Sequence, residues 1–115
     1  MNSPVNIDDL TEEKQIEFVS VNGYNLRFIS NPSEAVKLAA IQRNWYTIQV
    51  IKNPSEAIQL AAVQGDGLAI ELIDDPSEEV QLAAVQQNPH SINYILNPSD
   101  EIRAYADLMK LGKNP

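Results

Sequence analysis

The chain repeats one phrase four times, at a constant spacing of 22 residues: Asn31-Pro32-Ser33-Glu34, Asn53-Pro54-Ser55-Glu56, Asp75-Pro76-Ser77-Glu78 and Asn97-Pro98-Ser99-Asp100. The first three copies are each followed by a Leu-Ala-Ala triplet, at Leu38-Ala39-Ala40, Leu60-Ala61-Ala62 and Leu82-Ala83-Ala84. A fixed period of this length indicates one supersecondary unit that is stacked on copies of itself. The sequence therefore says more about architecture than about function.

The repeated phrase carries the signals of a helix N-terminus. Its first residue, Asn or Asp, is a good N-cap, because the side-chain oxygen can accept a hydrogen bond from a free backbone N–H. Proline is tolerated at the first helical position, and the acid three residues after the cap can complete a capping box. We therefore predict helices that begin at Pro32, Pro54, Pro76 and Pro98.

Each unit is predicted to contain a long and a short helix. The long helix is apolar on nearly all sides, so we expect it to be buried. A turn follows at Arg43-Asn44, where Asn or Gly in the equivalent copies is expected to take a positive φ. The short helix covers Tyr46–Lys52, with Ile48 and Ile51 buried and Gln49 on the opposite face; its later copies are Leu68–Asp74 and His90–Leu96. One polar row is expected to face solvent: Lys37, Gln59, Gln81 and Arg103.

The first and last units diverge from the others, as terminal repeats with a polar outer face do. Asp9-Leu10-Thr11-Glu12 replaces the phrase at the N-terminal end, and Leu26 and Ile29 take the places of Ile48 and Ile51. We predict one all-α domain over residues 1–115, a short right-handed α-solenoid of stacked helical hairpins. About four two-helix repeats would span residues 9–30, 31–52, 53–74 and 75–96, followed by a C-terminal capping helix over residues 97–111.

The chain resembles a short helical repeat of uncharacterised bacterial and phage proteins, most closely in the copy Glu78-Glu79-Val80-Gln81-Leu82-Ala83-Ala84-Val85-Gln86-Gln87-Asn88-Pro89. The resemblance covers about residues 31–106, and residues 9–30 match more weakly. It implies a HEAT-like stack of short helices and brings no catalytic residues. It also suggests one concrete role in a host cytoplasm, a phage-type inhibitor that occupies a basic site on a host defence or nucleic-acid-handling protein.

Composition argues against several classes of function. Sixteen Asp and Glu residues against eight Lys and Arg give a formal net charge of −8, which disfavours direct binding to nucleic acid or to anionic membranes. The chain has no cysteine, which excludes disulfides and thiolate chemistry. Met1-Asn2-Ser3-Pro4 lacks the features of a signal peptide, and no apolar run approaches the roughly 18 residues of a membrane helix. We therefore expect a cytoplasmic protein, either a monomer or a homodimer.

Exposed positions that differ between copies are the first place to look for a binding surface. Aromatic residues are enriched among binding hot spots, and Trp45 is the leading candidate for a contact residue. Five side chains would form a strip along one edge: Tyr24, Trp45, Tyr46, His90 and Tyr94. The alternative is that Tyr24, Tyr46 and His90 only pack between adjacent short helices.

Acidic residues cluster at the predicted helix starts and would form an anionic ridge. Such a ridge could recruit a basic protein surface and speed the encounter. Glu78 and Glu79 are the candidate contacts on the ridge, and Glu71 is the candidate on the second-helix face. Helix capping and compensation of the helix dipole explain most of these acids without any function.

The sequence contains no P-loop, dinucleotide-binding glycine pattern, calcium loop or nucleophile elbow. His90 is the single histidine and has no neighbouring cluster for metal or proton chemistry. We therefore predict a non-enzymatic protein–protein interaction module without a cofactor or metal, and an enzyme is the weakest alternative. A structural, self-assembling repeat protein is the main alternative. The predicted protein contacts are Trp45, Tyr46, Glu71, Glu78, Glu79, His90 and Tyr94.

Overall fold

The computed structural model describes residues 6–112, and within this range all regular secondary structure is helical. Five α-helices alternate with five 3₁₀-helices. The α-helices, α1 to α5, are Glu12–Val21, Glu34–Arg43, Glu56–Gly65, Glu78–Gln87 and Asp100–Lys110. The 3₁₀-helices, η1 to η5, are Ile7–Asp9, Gly23–Phe28, Trp45–Val50, Gly67–Leu72 and Pro89–Tyr94. The prediction of an all-α fold is confirmed.

Helix pairs follow one another in chain order. Each α-helix packs on the next α-helix, and η2 to η5 each pack between the α-helices that flank them in sequence. We number the pairs α1/η2, α2/η3, α3/η4 and α4/η5 as repeats 1 to 4, and we name the interfaces between them the first, middle and third junctions. The resulting body is elongated, with extents of 64 × 23 × 16 Å.

The helices begin two residues later than predicted. The N-caps of α2 to α5 are serines, and each serine Oγ accepts a hydrogen bond from the backbone N–H three residues on, at 3.2–3.3 Å. These caps are Ser33, Ser55, Ser77 and Ser99. The acid of the phrase is therefore the first helical residue and forms no capping box, although its charge still lies at the positive helix end.

The predicted N-cap asparagines have a different role. Asn53, Asp75 and Asn97 adopt positive φ angles of 47°, 48° and 53°, in the left-handed region that Asn and Asp tolerate better than most residues. They lie in the connection between a 3₁₀-helix and the serine cap of the next α-helix. In the second, third and fourth copies the phrase therefore first reverses the chain and then caps a helix, whereas Asn31 of the first copy has no positive φ.

The positive φ expected after each long helix is also wrong. Asn44, Asp66 and Asn88 are extended there, with φ of −158°, −157° and −152°. Each side-chain oxygen accepts from the backbone N–H two residues on, at 2.9–3.0 Å. These residues are thus N-caps of η3, η4 and η5, and the two sets of Asn and Asp residues have exchanged their predicted roles.

The short helices are 3₁₀-helices of six residues. With about three residues per turn, side chains three apart lie above one another, so Ile48 and Ile51 share one side and are both buried, as predicted. Leu26 and Ile29 are buried in the same way in repeat 1. The opposite positions are exposed, as predicted, at Gln49, Glu71 and Asn93.

The long helices supply most of the core. In α2 the buried residues are Val36, Ala40 and Ile41, and the same registers are buried in α3 and α4: Ile58, Ala62, Val63, Val80, Ala84 and Val85. The predicted solvent-facing row is only partly exposed, because Lys37, Gln59 and Gln81 are half-buried and Arg103 is exposed. Both Gln59 and Gln81 donate from Nε2 to the carbonyl of a proline five residues earlier, at 3.0 Å.

The first and third junctions need glycine in their interior. A Cβ added to Gly67 would lie 2.4 Å from the Ala84 carbonyl oxygen and 2.7 Å from the Ser91 hydroxyl. A Cβ added to Gly23 would meet the equivalent atoms of repeat 2, at 2.6 Å from Thr47 Oγ1 and 2.8 Å from the Ala40 carbonyl oxygen. The backbones of adjacent repeats can approach this closely only because these positions carry no side chain.

Candidate functional site

Three grooves of one construction lie between successive repeats. Their volumes are about 460, 610 and 390 Å³ at the first, middle and third junctions. Each groove is lined by the loop that follows a 3₁₀-helix, by the polar side chain near the start of the next α-helix, and by the end of the next 3₁₀-helix. The shared lining comprises Ile29, Ile51 and Ile73, Pro32, Pro54 and Pro76, and Lys37, Gln59 and Gln81.

An apolar residue ends every 3₁₀-helix from η2 to η5, and these residues form a row that we call the apolar row: Phe28, Val50, Leu72 and Tyr94. Phe28, Val50 and Tyr94 are 54 %, 42 % and 46 % exposed. Val50, Leu72 and Tyr94 each line one groove. Only Tyr94 was predicted as a site residue, although an apolar residue at this register in all four copies is a signal that could have found the row.

The polar lining changes from groove to groove. The first groove is basic, because Arg27, Lys37 and Lys52 line it and no acid does. Lys52 and Asp74 both line the middle groove. The third groove contains Asp74 and Asp75 and no Lys or Arg. Charge therefore reverses along the series while the apolar lining recurs.

The predicted aromatic strip is divided between different positions of the 3₁₀-helices. Trp45 is half-buried, lies beside Gly65 and contacts Tyr46, with ring centroids 5.1 Å apart and an interplanar angle of 51°. Tyr46 and His90 are exposed at the second positions of η3 and η5, whereas Tyr94 ends η5 and belongs to the apolar row. The structure therefore brings Trp45 and Tyr46 together but does not form a single row of all five side chains.

Tyr24 contacts the next repeat. It occupies the second position of η2 and is half-buried, and its hydroxyl accepts a hydrogen bond from Gln49 Nε2 at 2.7 Å. Gln49 lines the middle groove. This hydrogen bond joins Tyr24 of η2 to η3 of the next repeat.

Glu78 and Glu79 line a separate hollow of about 280 Å³ at the starts of α4 and α5, which we call the acidic hollow. Its other lining residues are Leu82, Glu101, Ile102 and Tyr105. The carboxyl of Glu56 hydrogen-bonds to that of Glu79 and repels its charge, and both effects raise the pKa of Glu79. Glu71 is exposed on η4 and belongs neither to the grooves nor to this hollow.

Acids at the helix starts also join successive repeats. Ser77 Oγ donates to Glu56 at 3.3 Å, Ser99 Oγ donates to Glu78 at 2.9 Å, and Ser55 Oγ donates to Glu34. Each of these serines therefore accepts from its own helix and donates to the preceding repeat. At the N-terminal end, the Asp8 carboxylate accepts from the backbone N–H and the Oγ of Ser30, at 2.7 Å each. These two donors lower the pKa of Asp8.

The grooves combine polar and apolar lining, and the acidic hollow adds carboxylates at the helix starts. Among residues 6–112, no group of three or more His, Cys, Asp or Glu side chains is placed to hold a metal ion. In the same range, no helix has both the length and the apolar character needed to cross a membrane. No protein-family model, curated protein or solved structure matches the chain.

Proposed function

We propose that the chain is a short α-solenoid that binds another protein, without catalysis, by receiving an extended segment of that protein along its three grooves. The observation that carries the proposal is that the three grooves share their apolar lining residues and differ in their charged ones. An isoleucine, a proline and a member of the apolar row recur in every groove, whereas the charged residues differ. Repeat proteins bind through extended surfaces of this kind.

The apolar row supports the proposal because it is exposed. Phe28, Val50 and Tyr94 each leave about half of their surface to water, and neighbouring exposed apolar groups on a soluble protein mark interaction sites. Each groove has a volume in the range of ligand pockets, which begins at about 300 Å³. One or two apolar side chains of a partner would occupy each groove.

The acidic hollow supports contact with a basic part of the same partner. Leu82 and Tyr105 are apolar, and Glu78, Glu79 and Glu101 surround them. The stem of a Lys or Arg side chain packs on such an apolar surface while its charge meets the carboxylates. A narrower version of the proposal is an inhibitor that occupies a basic, nucleic-acid-binding site of its partner, for which Glu78→Lys with Glu79→Lys would abolish the displacement of nucleic acid.

The test is a selection of random peptides on the immobilised wild-type protein, followed by affinity measurement with fluorescence anisotropy. Replacing Val50 and Tyr94 together by Ser removes apolar contacts in two grooves, and we expect affinity to fall at least about tenfold, or ~1.4 kcal/mol. The matched control is Ala57→Ser, at an exposed α3 position that lines none of the grooves. Enriched peptides that bind the double variant as tightly as the wild type would contradict the proposal.

Light scattering across a concentration series separates this function from self-assembly. A constant monomer mass together with peptide binding supports the proposed module. A mass that grows with concentration, together with no enriched peptide, favours a structural repeat protein.

A further inference from the structure

We infer that the first groove selects an acidic segment of the partner, with Asp or Glu carboxylates on Arg27, Lys37 and Lys52 and an apolar side chain on Val50. The inference rests on the proposed function, because it names the chemistry of the segment that the grooves would receive. It also gives the segment a direction, with its acidic end at the first groove and a neutral or basic end at the third.

The first observation is the concentration of positive charge in one place on an acidic protein. Three of the eight Lys and Arg residues of the chain line this groove, and none of its sixteen Asp and Glu residues does. Within residues 6–112 the ion pair present is Lys14–Glu17, at 3.2 Å. Arg27, Lys37 and Lys52 therefore have no carboxylate partner in the described part of the chain and are available to one from outside.

Asp8 is hydrogen-bonded to a residue of the groove but does not itself line it. Asp8 is bound to Ser30, which itself lines the groove, through two hydrogen bonds of 2.7 Å. The Arg27 guanidinium lies 5.0 Å from the centre of the Phe28 ring, a contact that holds the cation without neutralising it. The lining of the groove therefore contains three cations and no acid, on a protein whose net charge is −8.

Apolar side chains line the groove beside the cations. Leu26, Ile29 and Ile51 are buried and Val50 is exposed, so Val50 offers an apolar contact next to the positive charges. Lys37 is half-buried among them. Charge–charge attraction here adds to the apolar contact that all three grooves share.

The other grooves explain the direction. Asp74 and Lys52 both line the middle groove, and Asp74 and Asp75 line the third. Like charges brought together oppose binding, so an acidic segment is repelled from the third groove. A segment with one acidic end and one neutral or basic end therefore fits the charges of the three grooves in only one direction.

The experiment uses three fluorescein-labelled peptides that differ only at their charged positions: alternating Glu and Leu, Gln and Leu, or Lys and Leu. We expect the wild-type protein to bind the Glu peptide at least tenfold more tightly than the Gln peptide. Replacing Lys37 and Lys52 by Gln should remove this preference. Gln is native to the register of Lys37 in repeats 3 and 4, at Gln59 and Gln81, so the variant is expected to fold, which circular dichroism checks.

The matched control replaces Lys14 and Lys110 by Gln, which changes the net charge equally, from −8 to about −10, without touching the groove. A Glu peptide that loses the same affinity in both double variants reports overall charge and overturns the inference. Equal binding of the Glu and Gln peptides, lost in Val50→Ser, also overturns it while leaving the proposed function intact. If none of the peptides binds and the library selection enriches none either, both fail.

A second copy of the chain is the competing occupant, since its acidic hollow carries charges opposite to those of this groove. Light scattering of the wild type with and without the Glu peptide distinguishes the two. If the mass grows with concentration, and the double variant Lys37→Gln with Lys52→Gln abolishes this growth, the occupant of the groove is a second copy and not the peptide. A constant mass supports the peptide.

Discussion

The first and third junctions have the same interior and opposite surfaces. In both, a glycine of one repeat, Gly23 or Gly67, packs against a buried hydroxyl of the next, Thr47 or Ser91, and against a helix carbonyl. The middle junction differs, because Trp45 replaces the glycine and Ala69 replaces the hydroxyl. Over the shared interior the first groove is basic and the third is acidic. Interior and surface therefore use different registers of the 22-residue unit, and the surface can change without disturbing the interior.

The largest loss of stability is expected from adding a methyl group to the interior of the third junction. Gly67→Ala places a Cβ 2.4 Å from the Ala84 carbonyl oxygen, and because backbone has to move, we expect a loss of about 3 kcal/mol in the free energy of unfolding. Gly23→Ala should cost less, about 2 kcal/mol, because its closest backbone neighbour, the Ala40 carbonyl oxygen, is 2.8 Å away instead of 2.4 Å. Urea denaturation measures both.

Gly65→Ala is the control for these two substitutions. Its Cβ would lie 3.3 Å from Trp45 side-chain atoms, so crowding is mild and is offset by the better helix propensity of alanine, about 1 kcal/mol. We expect its stability to stay within about 1 kcal/mol of the wild type. A Gly67→Ala protein as stable as Gly65→Ala would contradict the close approach at the third junction.

The next comparison concerns the two buried hydroxyls. Ser91 Oγ donates to the Ala84 carbonyl at 3.2 Å, whereas Thr47 Oγ1 has no hydrogen-bond partner among the described residues. Removing an unpaired buried hydroxyl is favourable, and removing a paired one is not. We expect Thr47→Val to gain about 1 kcal/mol and Ser91→Ala to lose about 1 kcal/mol in thermal or urea unfolding. Changes of the same sign would show that the two sites are not distinguished by their hydrogen bonds.

The serine N-caps allow a further comparison between repeats. Ser33 and Ser77 both cap their own α-helix, so replacing either by Ala should cost about 1 kcal/mol. Ser77 also donates to Glu56 across the third junction, at 3.3 Å, so its loss should be slightly larger. The double variant Ser77→Ala with Glu56→Ala, compared with the two single variants, tests this: an additive result would mean that the serine–glutamate contact contributes nothing.

The smallest expected effects are electrostatic and have opposite signs. The pKa of Asp8 is lowered by Ser30, so its contribution to stability is present above its unfolded pKa of about 3.9 and is lost as pH falls. The pKa of Glu79 is raised by Glu56. Ionisation of Glu79 therefore destabilises the fold as pH rises from the pKa of the unfolded state, about 4.3, through the pKa of the folded state. At neutral pH we therefore expect Asp8→Asn to lower stability and Glu79→Gln to raise it.

Urea midpoints measured between about pH 3 and pH 7 check this pair, since both differences from the wild type should shrink towards the acid end. Parallel pH profiles for the two variants and the wild type would contradict the assigned causes of the two pKa shifts.

Much of the buried pattern was predictable from the sequence because it depends on period and spacing alone. Ile48, Ile51 and Ala62 follow from alignment of the copies. The roles of Asn44 and Asn53 were not predictable in this way, because each segment contains residues suited both to a cap and to a positive φ. The phrase offers two possible caps two residues apart, and the backbone reversal before Pro54 leaves only Ser55 available to cap α3.

The grooves were less predictable because they exist only between repeats. Their lining depends on how far one repeat is shifted against the next, which the 22-residue period does not specify. Lys37 and Lys52 are fifteen positions apart in the sequence and line one groove. The apolar row, by contrast, could have been predicted, because alignment of the four copies shows an apolar residue at the position of Val50 in each of them.

The 3₁₀-helices have a consequence for motion. A segment of six residues with i to i+3 hydrogen bonds has little stability on its own in water, so each one stays ordered only while its neighbours hold it. η3 and η4 have a 3₁₀-helix on either side, whereas η5 has one on a single side. The backbone amides of η5 should therefore exchange with deuterium faster than those of η4. Local unfolding should thus begin at the ends of the molecule and proceed towards its middle.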